Sequence, residues 1–299
     1  MSLAWRNINA DEMVRRWRPR SALVAVALAL AVPALAAAAD GGATLVVCAP
    51  GYPGSTEEAQ PTMDAFAAAV AAAAGWPGGE LAGAYFETEA GGVERLQRGD
   101  AALALVPLTF FLKHAAALKL APRLQAVQIG GEAAERWTLV AGKGKVNGPA
   151  SLAGWEVVSL AGYVPGFVRG LALAEWGALP PDVRIVFSGA VLSGLRRAAA
   201  GENVALLLDR AQTAALPTLP FAAQLEVVAR SAPLPVSVLC VVGNHLPEAR
   251  SKAVTRALLD LGGTPAGAEA LAGMRMTRFM PADQAAIARA QAAFNRAAP

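Results

Sequence analysis

Polar and aromatic side chains gather just beyond the apolar runs of this 299-residue chain. Tyr52, Ser55 and Thr56 follow the run that begins at Ala43. Thr109 and Phe110 follow Ala101–Pro107, Ser159 and Tyr163 close the run from Trp155, and Ser188 and Ser193 follow the one from Val183. Asp209, Arg210 and Gln212 follow Val204–Leu208. These residue types hold a ligand rather than transform it. Hydroxyls and the free N–H groups of a helix start attract an oxyanion. An arginine can grip one through two parallel hydrogen bonds. Each residue taken singly is also ordinary turn or cap chemistry, and Arg210 can equally pair with its neighbour Asp209 or lie on the surface.

Reactive constellations are not found. His114 and His245 are the only histidines; one falls within a helical stretch, the other just before one, and neither has a partner cluster. No metal-ligand spacing occurs, and there is no G-x-S-x-G, P-loop or H-E-x-x-H segment. Lys143-Gly144-Lys145 belongs to a Gly-rich linker. The chain therefore reads as a binding protein with no cofactor and no metal, not as an enzyme.

The sequence pI of about 9.1 suggests a basic protein, but the excess is local. Arg6, Arg15, Arg16, Arg18 and Arg20 lie before residue 40, opposed by Asp11 and Glu12, and the remainder balances at 21 basic and 21 acidic residues. Nucleic-acid binding needs clustered cations, so none is expected. Residues 1–39 have the order of an export signal: basic residues, an apolar run from Ala22 to Leu35, then Ala36 to Ala39. Cleavage is expected near Ala39, which places the mature chain in the periplasm. A retained anchor is the rival reading, but Pro33 and the many alanines weaken it. Arg15-Arg16 raises a twin-arginine route. Export makes a disulfide feasible, and Cys48 and Cys240 are the two candidates; each also suits a small buried apolar site.

The elements that must position these groups alternate. Strands are expected at 43–49, 81–88, 101–107, 123–130 and 136–142, with helices around Met63, Phe66 and Val70, at 91–97 and at 110–120. The start of the first helix has two readings: Ser55-x-x-Glu58 looks like a capping box, while Pro61 prefers a first turn. After the Gly-rich stretch 142–149, strands are expected at 155–160, 183–187, 204–208 and 225–229, with helices at 165–176, 191–200 and 211–216. Beyond the strand 236–242 the chain reads as helical: 247–261, 265–273 and 281–298. Such alternation predicts α/β architecture with parallel sheets. The first unit lacks helical cover unless the last segments return to it. The expected lobes are 40–138 with 232–299, and 139–231, joined by crossings near 135–138 and 231–235.

Several segments resemble the phosphate/phosphonate-type family of periplasmic substrate-binding proteins of ABC transporters. They are Leu96-Gln-Arg-Gly-Asp-Ala-Ala-Leu-Ala-Leu-Val-Pro107, Ser151-Leu-Ala-Gly-Trp-Glu-Val-Val158, Ala200-Gly-Glu-Asn-Val-Ala205, Ala229-Arg-Ser-Ala-Pro-Leu-Pro235, and the stretch from Leu261 to Asp283. The resemblance implies a two-lobed clamshell of the type II periplasmic-binding-protein fold. It implies a monomer that captures a small anionic ligand between its lobes and passes it to an inner-membrane permease. A module that serves a membrane sensor or signalling receptor is the alternative.

Where the family carries a Ser/Thr-rich loop, this chain has Ser159-Leu-Ala-Gly-Tyr163-Val-Pro165-Gly, with hydroxyls only at Ser159 and Tyr163. Each lost hydrogen bond to a charged group is worth about 1.5–3 kcal/mol. Two such losses weaken affinity by about a hundredfold or more. Plain phosphate is expected to bind weakly, and an anion with an apolar or aromatic substituent covered by Tyr52, Phe110 or Tyr163 to bind better.

Overall fold

A computed structural model describes residues 42–297 with the exception of residue 53. The expected export signal and its cleavage near Ala39 lie outside the described residues. The strands are β1 (Ala43–Cys48), β2 (Leu81–Phe86), β3 (Ala101–Pro107), β4 (Leu120–Gln128), β5 (Ala134–Glu135), β6 (Thr138–Gly142), β7 (Glu156–Ser159), β8 (Arg184–Phe187), β9 (Val204–Leu208), β10 (Leu225–Arg230), β11 (Leu234–Pro235), β12 (Ser237–Val242) and β13 (Met276–Pro281). The helices are α1 (Thr56–Ala73), α2 (Glu89–Leu96), α3 (Leu108–His114), α4 (Pro165–Phe167), α5 (Val191–Ala199), α6 (Arg210–Ala215), α7 (Glu248–Asp260), α8 (Pro265–Gly273) and α9 (Gln284–Ala297).

Two sheets result. The first has the order β13-β4-β12-β3-β1-β2, the second β10-β6-β9-β7-β8. Neither is purely parallel. The chain leaves the first sheet after β4 and re-enters it with β12, which slots between β3 and β4 antiparallel to both. In the second sheet β6 runs against β9 and β10. A small ribbon of β5 with β11 joins the halves. It is fastened by Ser231, whose Oγ accepts the Trp137 N–H at 2.9 Å and whose N–H donates to the Trp137 carbonyl at 2.9 Å.

Local chemistry sets the boundaries. Ser55 caps α1 in the expected box: its Oγ accepts the Glu58 N–H at 3.2 Å, and Glu58 accepts the Ser55 N–H at 3.0 Å. Pro61 sits inside the helix, beyond the first turn that proline prefers, and removes one backbone donor there. The helix expected at 110–120 is shorter and earlier, because Lys119 adopts φ 52° and turns the chain into β4 at Leu120. The helix expected to reach Trp176 ends near Ala172: α4 widens into a π-turn over Val168–Ala172, and Leu173 leaves helical geometry at φ −115°, ψ 4°. After Val242, where helices are expected at 247–261, 265–273 and 281–298, the structure adds β13, almost all of it in the interval between the last two. There Met276 and Phe279 are both buried because a register shift next to Met276 breaks the twofold alternation of the strand.

The apolar core lies on both faces of each sheet. Met63, Phe66 and Val70 of α1 pack with α7 and α8 on one face of the first sheet. Val191, Leu195 and Ala198 of α5 cover one face of the second. A third cluster is continuous across the molecule, from Val46 and Phe110 through Trp137 to Phe167 and Ile287. Helix α9 completes it by touching α3, β11 and α4 together. Gly166 and Gly170 leave the room that the Phe294 ring and Ala297 methyl occupy.

The candidate disulfide is not made: Cys48 and Cys240 are both free and buried. They belong to β1 and β12, which lie on opposite sides of β3. Two strand spacings amount to roughly 9.5 Å, beyond the roughly 7 Å that a bridge spans. Burial pushes the Cys48 thiol up to about 12, with Glu89 and Glu87 adding to it, and raises the Cys240 thiol as well.

Candidate ligand cleft

The two sheets turn the carboxyl ends of β1, β3 and β7 toward one cavity beside the ribbon, the position where open α/β sheets take ligands. Its wall carries Pro50 and Tyr52 from the loop after β1, Thr109 from the start of α3, Ala161 and Tyr163 from the turn after β7, Phe167 of α4, and Glu135 and Trp137 from the crossing. Trp137 and Phe167 meet edge-on with ring centres 5.3 Å apart. Tyr163 stands edge-on to Phe187 at 5.5 Å.

Hydrogen bonds cross the cleft. The Thr109 and Tyr163 hydroxyls are 2.7 Å apart. Tyr52 Oη donates to Asp209 Oδ2 at 3.1 Å. Lys113 Nζ donates to the Tyr163 carbonyl at 3.2 Å while paired with Glu89 at 2.7 Å. Arg210 donates from Nη1 to the Gly130 carbonyl at 2.9 Å, and its backbone N–H donates to Glu135 Oε2 at 3.0 Å. So closed, the cavity encloses about 20 Å³, enough for one water.

The electrostatics are acidic. No Lys, Arg or His lines the cavity, and Glu135 is its one carboxylate among the described residues. Burial raises the Glu135 pKa to about 7; the charge of Asp209 adds to this, while the Arg210 N–H and charge oppose it. Burial and then Asp209 push Tyr52 well above the usual phenol range, and burial raises Tyr163 despite its bond to Thr109.

Of the side chains singled out in the sequence, Tyr52, Thr109 and Tyr163 line the cavity, and Asp209 reaches it through Tyr52. The others are elsewhere. Phe110, expected to cover a ligand, is fully buried in the core against His114, because it lies about 100° around the helix from Thr109. Ser55 is occupied as a cap and Thr56 donates to Glu87 at 2.7 Å. Ser159 is fully buried and ties β7 to β9 through the Leu207 carbonyl at 2.7 Å. Ser188 accepts the Ala190 N–H in a tight turn, Ser193 is exposed, and Gln212 completes the Asp209 cap. The Arg210 guanidinium turns to the Gly130 loop instead of to Asp209, with its Nε buried and unpartnered. Sequence reasoning missed Glu135 and Trp137 as wall residues. The sequence offered only their place: both lie in the crossing expected at 135–138.

Two sheets joined by a two-strand ribbon, with a cavity at the strand ends beside it, make up the type II periplasmic-binding-protein fold. Residues 54–287 match the family described as the phosphonate periplasmic substrate-binding protein of ABC transporters, and the chain belongs to that family. The family is periplasmic and consists of transport components that bind a substrate, not of enzymes. Similar solved structures share the fold. XAC2383 from Xanthomonas citri, bound to chloride, has a TM-score of 0.68 at 15% identity, covering 85% of this chain and 98% of that one. PhnD1 from Prochlorococcus marinus, in complex with methylphosphonate, has a TM-score of 0.63 at 12% identity, covering 86% and 98%. The binding component of an ABC phosphonate transporter from Pseudomonas aeruginosa has a TM-score of 0.60 at 15% identity, covering 86% and 88%. No curated protein matches the chain in sequence.

Proposed function

We propose that this chain is exported, captures a small organic anion of the phosphonate class between its lobes, and delivers it to an ABC permease as a monomer. The observation that carries this is the cavity wall itself. Three hydroxyls, of Tyr52, Thr109 and Tyr163, converge there beside the rings of Trp137 and Phe167. Hydroxyls in a dry site hydrogen-bond an oxyanion strongly, and the rings suit its carbon substituent. The cavity is too small for such a guest as it stands, so the Thr109–Tyr163 bond has to open and be replaced by bonds to the ligand. Plain phosphate fits poorly because it has no carbon substituent to set against the rings.

Isothermal titration with phosphate, methylphosphonate, a bulkier phosphonate and a carboxylate tests the reading. The phosphonates should bind at least tenfold more tightly than phosphate, a difference of about 1.4 kcal/mol. Submicromolar affinity for phosphate would overturn the ligand class, and failure of every anion to bind would overturn capture in this cleft.

A further inference from the structure

Glu135 stands out among the groups facing the cavity. It rises from β5 at the crossing, is only 7% exposed, and is the one carboxylate in the wall. Its Oε2 is occupied by the Arg210 N–H at 3.0 Å. Its Oε1 has no hydrogen-bond partner among the described residues. The neighbours facing it are already engaged. Asp209 accepts the Gln212 N–H at 2.8 Å and the Tyr52 hydroxyl at 3.1 Å, and Tyr163 is bonded to Thr109. The Arg210 guanidinium points to Gly130 and Gln128 and forms no ion pair with Glu135.

Resting on the proposed capture of an organic anion, we propose that Glu135 determines which anions the cleft accepts, by sharing one proton with a ligand oxygen through Oε1. Two negatively charged oxygens cannot meet in a dry site without a proton between them. That proton has two sources. A phosphonate with one ionised and one protonated oxygen brings it as its own O–H, which donates to the Glu135 carboxylate. A sulfonate has none to bring, so Glu135 takes the proton from solvent and donates it to the sulfonate oxygen. The burial that already lifts Glu135 to about 7 makes uptake accessible near neutral pH, with Asp209 assisting and Arg210 opposing. The ligand's charge lifts it further.

The test is calorimetry with methylphosphonate and methanesulfonate at pH 6 and pH 8, in buffers of differing ionisation enthalpy, on the wild-type chain and on Glu135→Gln. Methanesulfonate does not titrate in this range, so its proton uptake reports the protein alone. The wild type should take up close to one proton per methanesulfonate at pH 8. Its affinity should fall toward tenfold per pH unit above the Glu135 pKa, as linkage to one proton requires. In Glu135→Gln the amide N–H donates without titrating, so uptake should vanish and the affinity for methanesulfonate should be the same at both pH values. Rejection of methanesulfonate by the wild type at pH 6, where the carboxyl is most easily protonated, overturns the proposal even if Glu135→Gln accepts it, because the shared proton was then not taken up.

Binding by the wild type without uptake and without pH dependence overturns the proposal. So does a pH dependence that survives in Glu135→Gln, or rejection of methanesulfonate by both chains. Aminomethylphosphonate provides a further arm: a proton released on its binding means that the carboxylate pairs with an ammonium, and this too overturns the proposal. Absence of binding by any anion removes the capture reading along with this one, whereas binding without uptake removes this one alone. Should Glu135→Gln fail to fold, the wild-type proton count decides.

Discussion

Phe167→Ala is expected to destabilise the chain by about 3–5 kcal/mol, the usual cost of emptying a buried aromatic site. Phe167 has no exposed surface and stands edge-on to Trp137 in the cluster that continues from one lobe to the other. Its position on the three-residue α4, ahead of a π-turn, gives the surroundings little regular structure with which to close the void. The melting temperature should fall by roughly 10 °C for a protein of this size. Denaturant titration measures the loss, and a change below about 1 kcal/mol would show that the site collapses and that the continuous cluster contributes little there.

The second large effect concerns pH. Glu135 has a pKa of about 7 in the folded chain against 4.5 for the ordinary side chain. The folded state therefore holds the proton more tightly than the unfolded state between these values. Stability is greatest below about 4.5 as far as this group is concerned, falls as pH rises through the window, and levels off above 7. The whole effect is about 3–4 kcal/mol at one pKa unit per 1.4 kcal/mol. Glu135→Gln should remove that slope, so the variant should gain on the wild type between pH 5 and pH 8. Chemical denaturation at the two pH values measures it; parallel pH profiles for variant and wild type would reject the assignment.

Much of this fold is visible in the sequence where strands are buried on both faces. Ala101–Pro107 and Val204–Leu208 are continuous apolar runs, and their expected bounds are those of β3 and β9. β13 lies between two expected helices and carries no strand signature, because its register shift buries both Met276 and Phe279 and so breaks the twofold alternation. The mixed pairing was hidden because strand direction depends on where β12 inserts, and no local pattern encodes that.

The cleft divides in the same way. Tyr52, Thr109, Tyr163 and Asp209 are placed by strand ends that the sequence marks. Their pairing is not legible, since Thr109 meets Tyr163 across 54 positions and Tyr52 meets Asp209 across 157. Phe110 was misplaced for a local reason: α3 starts at Leu108, so adjacent residues face in different directions. Glu135 becomes unusual only when Asp209 and Tyr52 of other segments close around it.

The insertion of β12 between β3 and β4 also dictates an order of assembly. The second sheet is drawn from one uninterrupted stretch, β6 to β10. The first cannot form its centre until Val242 is available, because β3 and β4 have no other partner to join them. Pairing across so long an interval is slow. A chain emerging from its N-terminus therefore has half of its first sheet waiting with open edges while the second is already complete. Pulse-labelled hydrogen exchange should protect the β6–β10 amides before those of β1, β3 and β4. Simultaneous protection would mean that the late strand does not set the pace.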